Sequence, residues 1–198
     1  MLTYKFRIFP DKDQQDILWD HSKLCNQLYN IFLDSKIENY NINKKNISKY
    51  DTLNLLPTLK KNVPDLKNIH SQVLQQVLIR LDNSYKHFFR RIKLGETPGF
   101  PKFRSSRYFF TLTYPQSGFK FDLVNNTFNT TAYGKIKTVI HRRDLTGTIK
   151  TCSITQDIRG KWYLCTTIDT THLNDTTETI IGVDVGIKNI AALSDGTI

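Results

Sequence analysis

Two groups of residues in this chain have types and spacing that could do chemistry. The first centres on Asp184, the one acid inside an apolar run of Ile180, Ile181, Val183 and Val185 that reads as a buried strand. Burying a lone carboxylate costs on the order of several kcal/mol unless a cation or hydrogen-bond donors meet it. Gly186 follows and leaves room for a close approach, then Lys188 and Asn189 lead into a second apolar strand, Ile190 to Leu193, ended by a tight turn at Ser194, Asp195 and Gly196. Such an acid is either a metal ligand beside a phosphate or a strand-end carboxylate satisfied by backbone donors. The second group is Lys86, Arg90, Arg91, Lys93, Lys102, Arg104 and Arg107, set against the single acid Glu96 and interleaved with Phe88, Phe89, Phe100, Phe103 and Tyr108. Phosphates need mobile cations and bases need flat surfaces, so this mixture suits a nucleic-acid groove. The alternative is a solvated helix end whose aromatic residues belong to the core. A smaller cluster, His141, Arg142 and Arg143, stands at the end of a predicted strand, and Lys5 and Arg7 occupy the polar face of another.

The whole chain has the same bias. Its 198 residues carry 28 Lys and Arg against 18 Asp and Glu, a net charge of +10 that points to a polyanionic partner. With 39% hydrophobic residues a packed core is available. No apolar run reaches the roughly 18–20 residues of a bilayer span, so no membrane partner is expected. Lys5 and Arg7 break up the N-terminus before a signal-peptide core could form. Cys25, Cys152 and Cys165 are odd in number and widely spaced, which suggests neither a disulfide framework nor a zinc knuckle. Buried thiols in a reducing, cytoplasmic setting are expected.

These residues are positioned by elements the sequence announces. Leu2, Tyr4, Phe6 and Ile8 alternate with Thr3, Lys5, Arg7 and Phe9 and end at Pro10, the pattern of a half-buried strand. Asp11 or Asp13 can cap a helix running to about Ile37, with Ile17, His21, Leu24, Leu28, Ile31 and Ser35 on one face, widened by Leu18, Cys25 and Phe32. Residues 39–50, rich in Asn and Lys, read as a loop or frayed end, and 53–61 as a weak segment containing Pro57. A further helix opens at Pro64, presents Val73, Val77, Leu81, Tyr85, Phe88 and Ile92 on one side, and is stopped at Gly95 and Pro98. Short alternating runs at 107–114, 118–123, 126–131, 136–141, 148–157 and 161–169 predict strands of a small barrel or sandwich, with turns at Asn125–Asn126 and Arg159–Gly160.

In this order the motifs resemble the TnpB (OrfB) family of transposon-encoded RNA-guided nucleases, relatives of the type V CRISPR effectors. The likeness runs from YKFRIFP at 4–10 and the helix with Gln14 and Gln15, through SYKHFFRRIK at 84–93 and GFPKFR at 99–104. It continues with TLTYP at 111–115, IHRRDLTGTIK at 140–150, GKWYLCTTID at 160–169 and IGVDVGIKNIAALSDG at 181–196, which is similar to the family's first RuvC motif. The resemblance implies an α+β fold: an OB-like wedge β-barrel from residues 1–9 and 105–170, with an inserted helical recognition domain at 10–104. A linker at 171–178 would lead to the first strands of a ribonuclease H-like (RuvC) domain at 179–198. The implied partners are guide RNA and target DNA, with Lys5, Arg7, Lys86, Arg90, Arg91, Lys93, Lys102, Arg104, Arg107, Arg142 and Arg143 as contacts. The implied cofactor is Mg²⁺, for which Asp184 would be the first catalytic carboxylate in a two-metal endonuclease site. The family's later carboxylates and its zinc ribbon fall outside these residues, so the chain reads as an N-terminal, truncated portion that binds without cutting. Two other readings remain at this point: a nuclease-dead RNA- or DNA-binding regulator, and a phosphate-binding protein of the sugar-kinase and chaperone-ATPase type, whose first strand-turn-strand is locally similar.

Overall fold

The computed structural model describes residues 1–142, 147–169, 182–184, 186 and 192–194. Arg143, the 171–178 segment and most of 179–198 lie outside the described residues. The chain opens with strand β1 (Leu2–Phe9) and helix α1 (Lys12–Asn43), then α2 (Lys49–Asn62), a 3-10 turn at Pro64–Asn68 and α3 (Ser71–Lys93). Six strands follow: β2 (Leu112–Tyr114), β3 (Phe119–Asp122), β4 (Thr127–Thr130), β5 (Gly134–Val139), β6 (Thr148–Gln156) and β7 (Trp162–Asp169), and then the short β8 (Val183–Asp184) and β9 (Ala192–Leu193). The fold is α+β, with the helices inserted between β1 and the rest of an antiparallel sheet.

That sheet has the order β2-β6-β7-β1-β5-β4-β3 and is nearly closed, because its two edge strands are joined directly by residues 115–118. The N-terminal start of α3 seals the gap. The Gln72 carboxamide oxygen accepts hydrogen bonds from the Ser117 amide and hydroxyl at 3.1 Å each, and the His70 ring lies against Gly118. A Cβ at Gly118, where φ is +87°, would fall 2.7 Å from that ring, so only glycine fits. The predicted turns are present, with Asn126 at φ 51° and Gly160 at φ 74°.

Period-2 burial follows from the alternation. Phe6 and Ile8 of β1, and Trp162, Leu164, Thr166 and Ile168 of β7, point inward. Of these, Ile8, Trp162 and Leu164 join Leu18, Cys25, Leu28, Phe32, Val77, Leu78 and Leu81 of the helices in one continuous cluster, so helices and sheet share a single core. The aromatic chain Trp19, Phe109, Trp162, with centroids 5.4 and 4.9 Å apart in edge-on pairs, stitches α1 to β7.

The helices depart from the sequence expectation in four ways. α1 runs to Asn43 rather than Ile37, ending at Lys44 in the left-handed region. Its buried face is centred on Leu18, Cys25 and Phe32, leaving Ile17 and Ile31 exposed. The rotation has a physical cause: Ser22, Asn26 and Asn30, spaced by four, must reach the backbone of the segment that enters β2. α2 is a full helix from Lys49 despite Pro57, because Ser48 and Asp51 form a reciprocal capping box and Thr52 and Leu56 are buried. The residues after Pro64 form a 3-10 turn first, and α3 begins only at Ser71.

Candidate nucleic-acid interface and carboxylate

The outer face of the sheet is built by the residues that alternate with the core. On β1 these are Lys5, Arg7 and Phe9. Register places Arg7 opposite Tyr163 of β7 and Val139 of β5, and Phe9 opposite Lys137. Lys135 and Lys137 of β5 share that face, both exposed. The Lys5 ammonium sits 4.0 Å from the Tyr163 ring centroid, and the Arg7 guanidinium 5.2 Å from both Tyr163 and Phe9. Arg7 Nη1 is buried with no hydrogen-bond partner among the described residues. None of these four cations forms an ion pair among the described residues; Asp169, at the far end of β7, is taken by Lys150. Lys5 and Arg7 over two aromatic rings, with Lys135 and Lys137 on the neighbouring strand, thus form a positive surface with no ion-paired carboxylate among the described residues.

The second group gathers elsewhere. Arg90, Arg91 and Lys93 end α3, where they also face the negative end of the helix dipole. Lys86 pairs with Asp82 at 2.9 Å, and Arg91 lies 3.8 Å from Glu96, an exposed pair of little energetic weight. Lys102 and Arg107 are exposed in the segment leading to β2. Arg104 is held in place: Asn30 of α1 donates to its carbonyl at 2.9 Å and accepts from its amide at 2.8 Å. Its guanidinium stacks on Tyr29 and Phe110, at 5.0 and 5.5 Å. Ser22 accepts from the Phe110 amide at 2.6 Å and Asn26 donates to the Tyr108 carbonyl at 3.3 Å, completing the clamp.

Arg142 belongs to a third place. Its guanidinium lies 5.7 Å over Tyr4, and His141 lies against Phe6, so both occupy the opposite side of β1 from Lys5 and Arg7. The expected basic contacts therefore divide into a sheet face, a helix end and a barrel mouth. Lys135, Lys137 and Tyr163 escaped the sequence reading, although the alternation Lys135, Ile136, Lys137 carries the signal. Arg80 escaped it too: α3 points it at Thr111 O and Thr113 Oγ1, 3.4 Å each, and 4.6 Å over Phe110.

Asp184 departs from expectation in its surroundings. β8 and β9 pair antiparallel, Val183 with Leu193 and Asp184 with Ala192, and the Ser194 amide donates to the Gly182 carbonyl at 2.8 Å, so the described parts of the two expected strands pair. Yet Val183 is 59% exposed and Asp184 is exposed as well. A two-stranded ribbon hides neither face unless another layer covers it, and no such layer exists among the described residues. An exposed carboxylate oxygen suits Mg²⁺ as one hard ligand. Among the described residues no three His, Cys, Asp or Glu come together, so a two-metal site is not assembled by them. The thiols are placed for packing, with burial pushing Cys25 and Cys152 up to about 12. No helix among the described residues is long and apolar enough to cross a membrane.

One buried titratable group has a measurable consequence. His21 Nδ1 is 2.7 Å from the Tyr133 hydroxyl, and burial lowers its pKa from the ordinary 6.5, with Asp20 opposing. The unfolded chain takes up a proton below pH 6.5 that the fold resists, so His21 makes stability fall as pH drops through that value. The thermal midpoint of His21→Gln should fall less between pH 7.5 and 5.5 than that of the parent chain; an equal fall would remove His21 from the account.

Residues 1–45 match the profile HTH_OrfB_IS605, described as a helix-turn-helix domain. In the structure these residues form β1, α1 and the turn at Lys44, and no turn divides the helix. InsQ of Escherichia coli (strain K12), a protein named for RNA-guided DNA endonuclease activity, is 29% identical over 99% of this chain and 48% of its own length. The chain thus spans about half of that relative. A solved Cas12f1 complex with guide RNA and target DNA aligns over 98% of this chain and 53% of its own, at 15% identity and a TM-score of 0.47. The profile match at the N-terminus, the relative along nearly the full chain and the ordered motifs from Tyr4 to Gly196 point the same way: this chain is similar to the TnpB (OrfB) family of transposon-encoded proteins.

Proposed function

We propose that this chain is the nucleic-acid-binding portion of an RNA-guided DNA endonuclease, whose OB-like wedge barrel and inserted helices hold a guide RNA and its duplex with target DNA. The observation that carries this reading is the outer sheet face, where Lys5 and Arg7 lie over Tyr163 and Phe9 beside Lys135 and Lys137 of β5, and none of the four forms an ion pair among the described residues. Cations that pair with no carboxylate among the described residues fit a polyanion, and the rings beneath Lys5 and Arg7 offer stacking surface. The activity for which the relative InsQ is named supports an RNA guide and a DNA target. Asp184, at the start of a RuvC-like, ribonuclease H-like unit, would be one Mg²⁺ ligand. Bound Mg²⁺ would supply water activation and leaving-oxygen stabilisation once further carboxylates join it. A second reading, a binding module without cleavage, is favoured by the isolation of Asp184 among the described residues.

Titrating structured RNA with the purified chain at 50–300 mM salt tests the first reading. Affinity should fall steeply as salt rises, Asp184→Ala should leave the curve unchanged, and added Mg²⁺ should give no DNA cleavage by this chain. Salt-independent or absent RNA binding would contradict the proposal.

A further inference from the structure

The apolar stripe of α3 outruns the core. Val73, Val77 and Leu81 are buried, but the stripe continues through Tyr85, Phe88, Phe89 and Ile92 after the packed layer has ended. Phe100 folds back on it, edge-on to Tyr85 at 5.6 Å and to Phe88 at 5.3 Å, and Phe88 meets Phe89 at 5.2 Å. The result is a cross-braced aromatic wall with Phe89 48% and Phe100 47% exposed. Exposed apolar clusters of this kind mark binding sites more often than idle surface. Between this wall and the end of α1 lies a cleft of about 450 Å³, whose α1 side carries Lys36 and Tyr40 and whose rim carries Asn41 and Asn46. Its size is that of a small-ligand site, and its lining has the expected mixture of rings and a few polar groups.

We propose that this cleft takes an unpaired base of a single-stranded RNA segment, stacked on Phe89 and Phe100, with the flanking phosphates on Arg90 and Lys93. The inference deepens the proposed function and rests on it. Charge selects the occupant. Arg90 and Lys93, at the same end of α3, form no ion pair among the described residues, and Lys36 brings an ammonium to the wall, 5.5 Å over Tyr85, while donating to the Ile47 carbonyl. A second copy of the chain would carry its own charge of +10 to the same place and be repelled, whereas a nucleic-acid strand brings phosphates. The carboxamides of Asn41 and Asn46 offer donors and acceptors beside the rings, which suits a ribose 2′-hydroxyl and commits the site to RNA.

The test uses the full chain and a single-stranded RNA oligomer with one 2-aminopurine, whose fluorescence is quenched on stacking. Binding should quench the probe, and Phe89→Ala should lower affinity about tenfold and abolish the quench while the salt slope stays unchanged. Phe89→Tyr, which keeps the ring, should restore both. Phe89 is half-exposed, so its truncation leaves the core intact; circular dichroism checks this. If the chain binds RNA with the expected salt slope but Phe89→Ala changes neither affinity nor quench, the cleft assignment is overturned and the function reading stands. Equal binding and quenching with the deoxy oligomer, or self-association of the chain abolished by Phe89→Ala, overturns it in favour of DNA or of a second copy. Absence of any RNA binding overturns both readings.

Discussion

Replacing Lys5, Arg7, Lys135 and Lys137 together by Gln is expected to lower the affinity of the chain for structured RNA by up to about 10³-fold at 0.1 M salt. Each phosphate contact contributes about 0.7–0.9 to the slope of log affinity against log salt, so four lost contacts remove roughly 3 units. At 1 M salt the counterion contribution vanishes and parent and variant should converge. The fold should survive, since these side chains lie on the outer face, opposite Phe6, Ile8 and Ile136, and form no ion pair among the described residues. Lys23→Gln is the control: its ammonium lies 3.3 Å from Asp20 on α1, away from the face, and its loss should change little. Filter binding across a salt series reads both quantities. A quadruple variant with the parent slope would mean that phosphates do not contact this face.

Trp162→Ala is expected to destabilise the chain by about 3–5 kcal/mol, a large share of the roughly 5–15 kcal/mol that holds an ordinary domain folded. Trp162 is 3% exposed and packs edge-on against Phe109 at 4.9 Å and Trp19 at 6.5 Å, so its removal opens a cavity where α1, the segment entering β2 and β7 meet. Its Nε1 has no hydrogen-bond partner among the described residues. An orphaned buried N–H costs on the order of 1–3 kcal/mol, so Trp162→Phe, which removes it and keeps a ring, should lose far less than the alanine variant. Urea unfolding of the two variants compares them, and equal losses would contradict the packing account.

The sheet was legible in the sequence because its two periodic signals agreed. Alternation fixed the faces of 2–9 and 161–169, and Asn126 and Gly160 marked turns that need a positive φ. The helical region was less so. Propensity argued against a helix through Pro57, yet capping by Ser48 and burial of Leu56 outweighed one missing donor. The buried face of α1 depends on hydrogen bonds that Ser22, Asn26 and Asn30 share with a segment some 80 residues away, which no local periodicity encodes. The site followed the same division. Arg90, Arg91 and Arg104 were visible as a charge run, whereas the outer face arises from pairing β1 with β5 and β7, elements separated by more than 120 residues. Asp184 looked buried because its neighbours are apolar; in a two-stranded ribbon an apolar neighbour is no shelter.

The central claim, that nucleic acid lies across the outer face of the sheet, is tested most directly by ultraviolet cross-linking of bound RNA followed by mapping of the modified peptides. The account predicts cross-links on Tyr163 and Phe9, lost at high salt. Cross-links that avoid β1 and β7 while the RNA remains bound would contradict it.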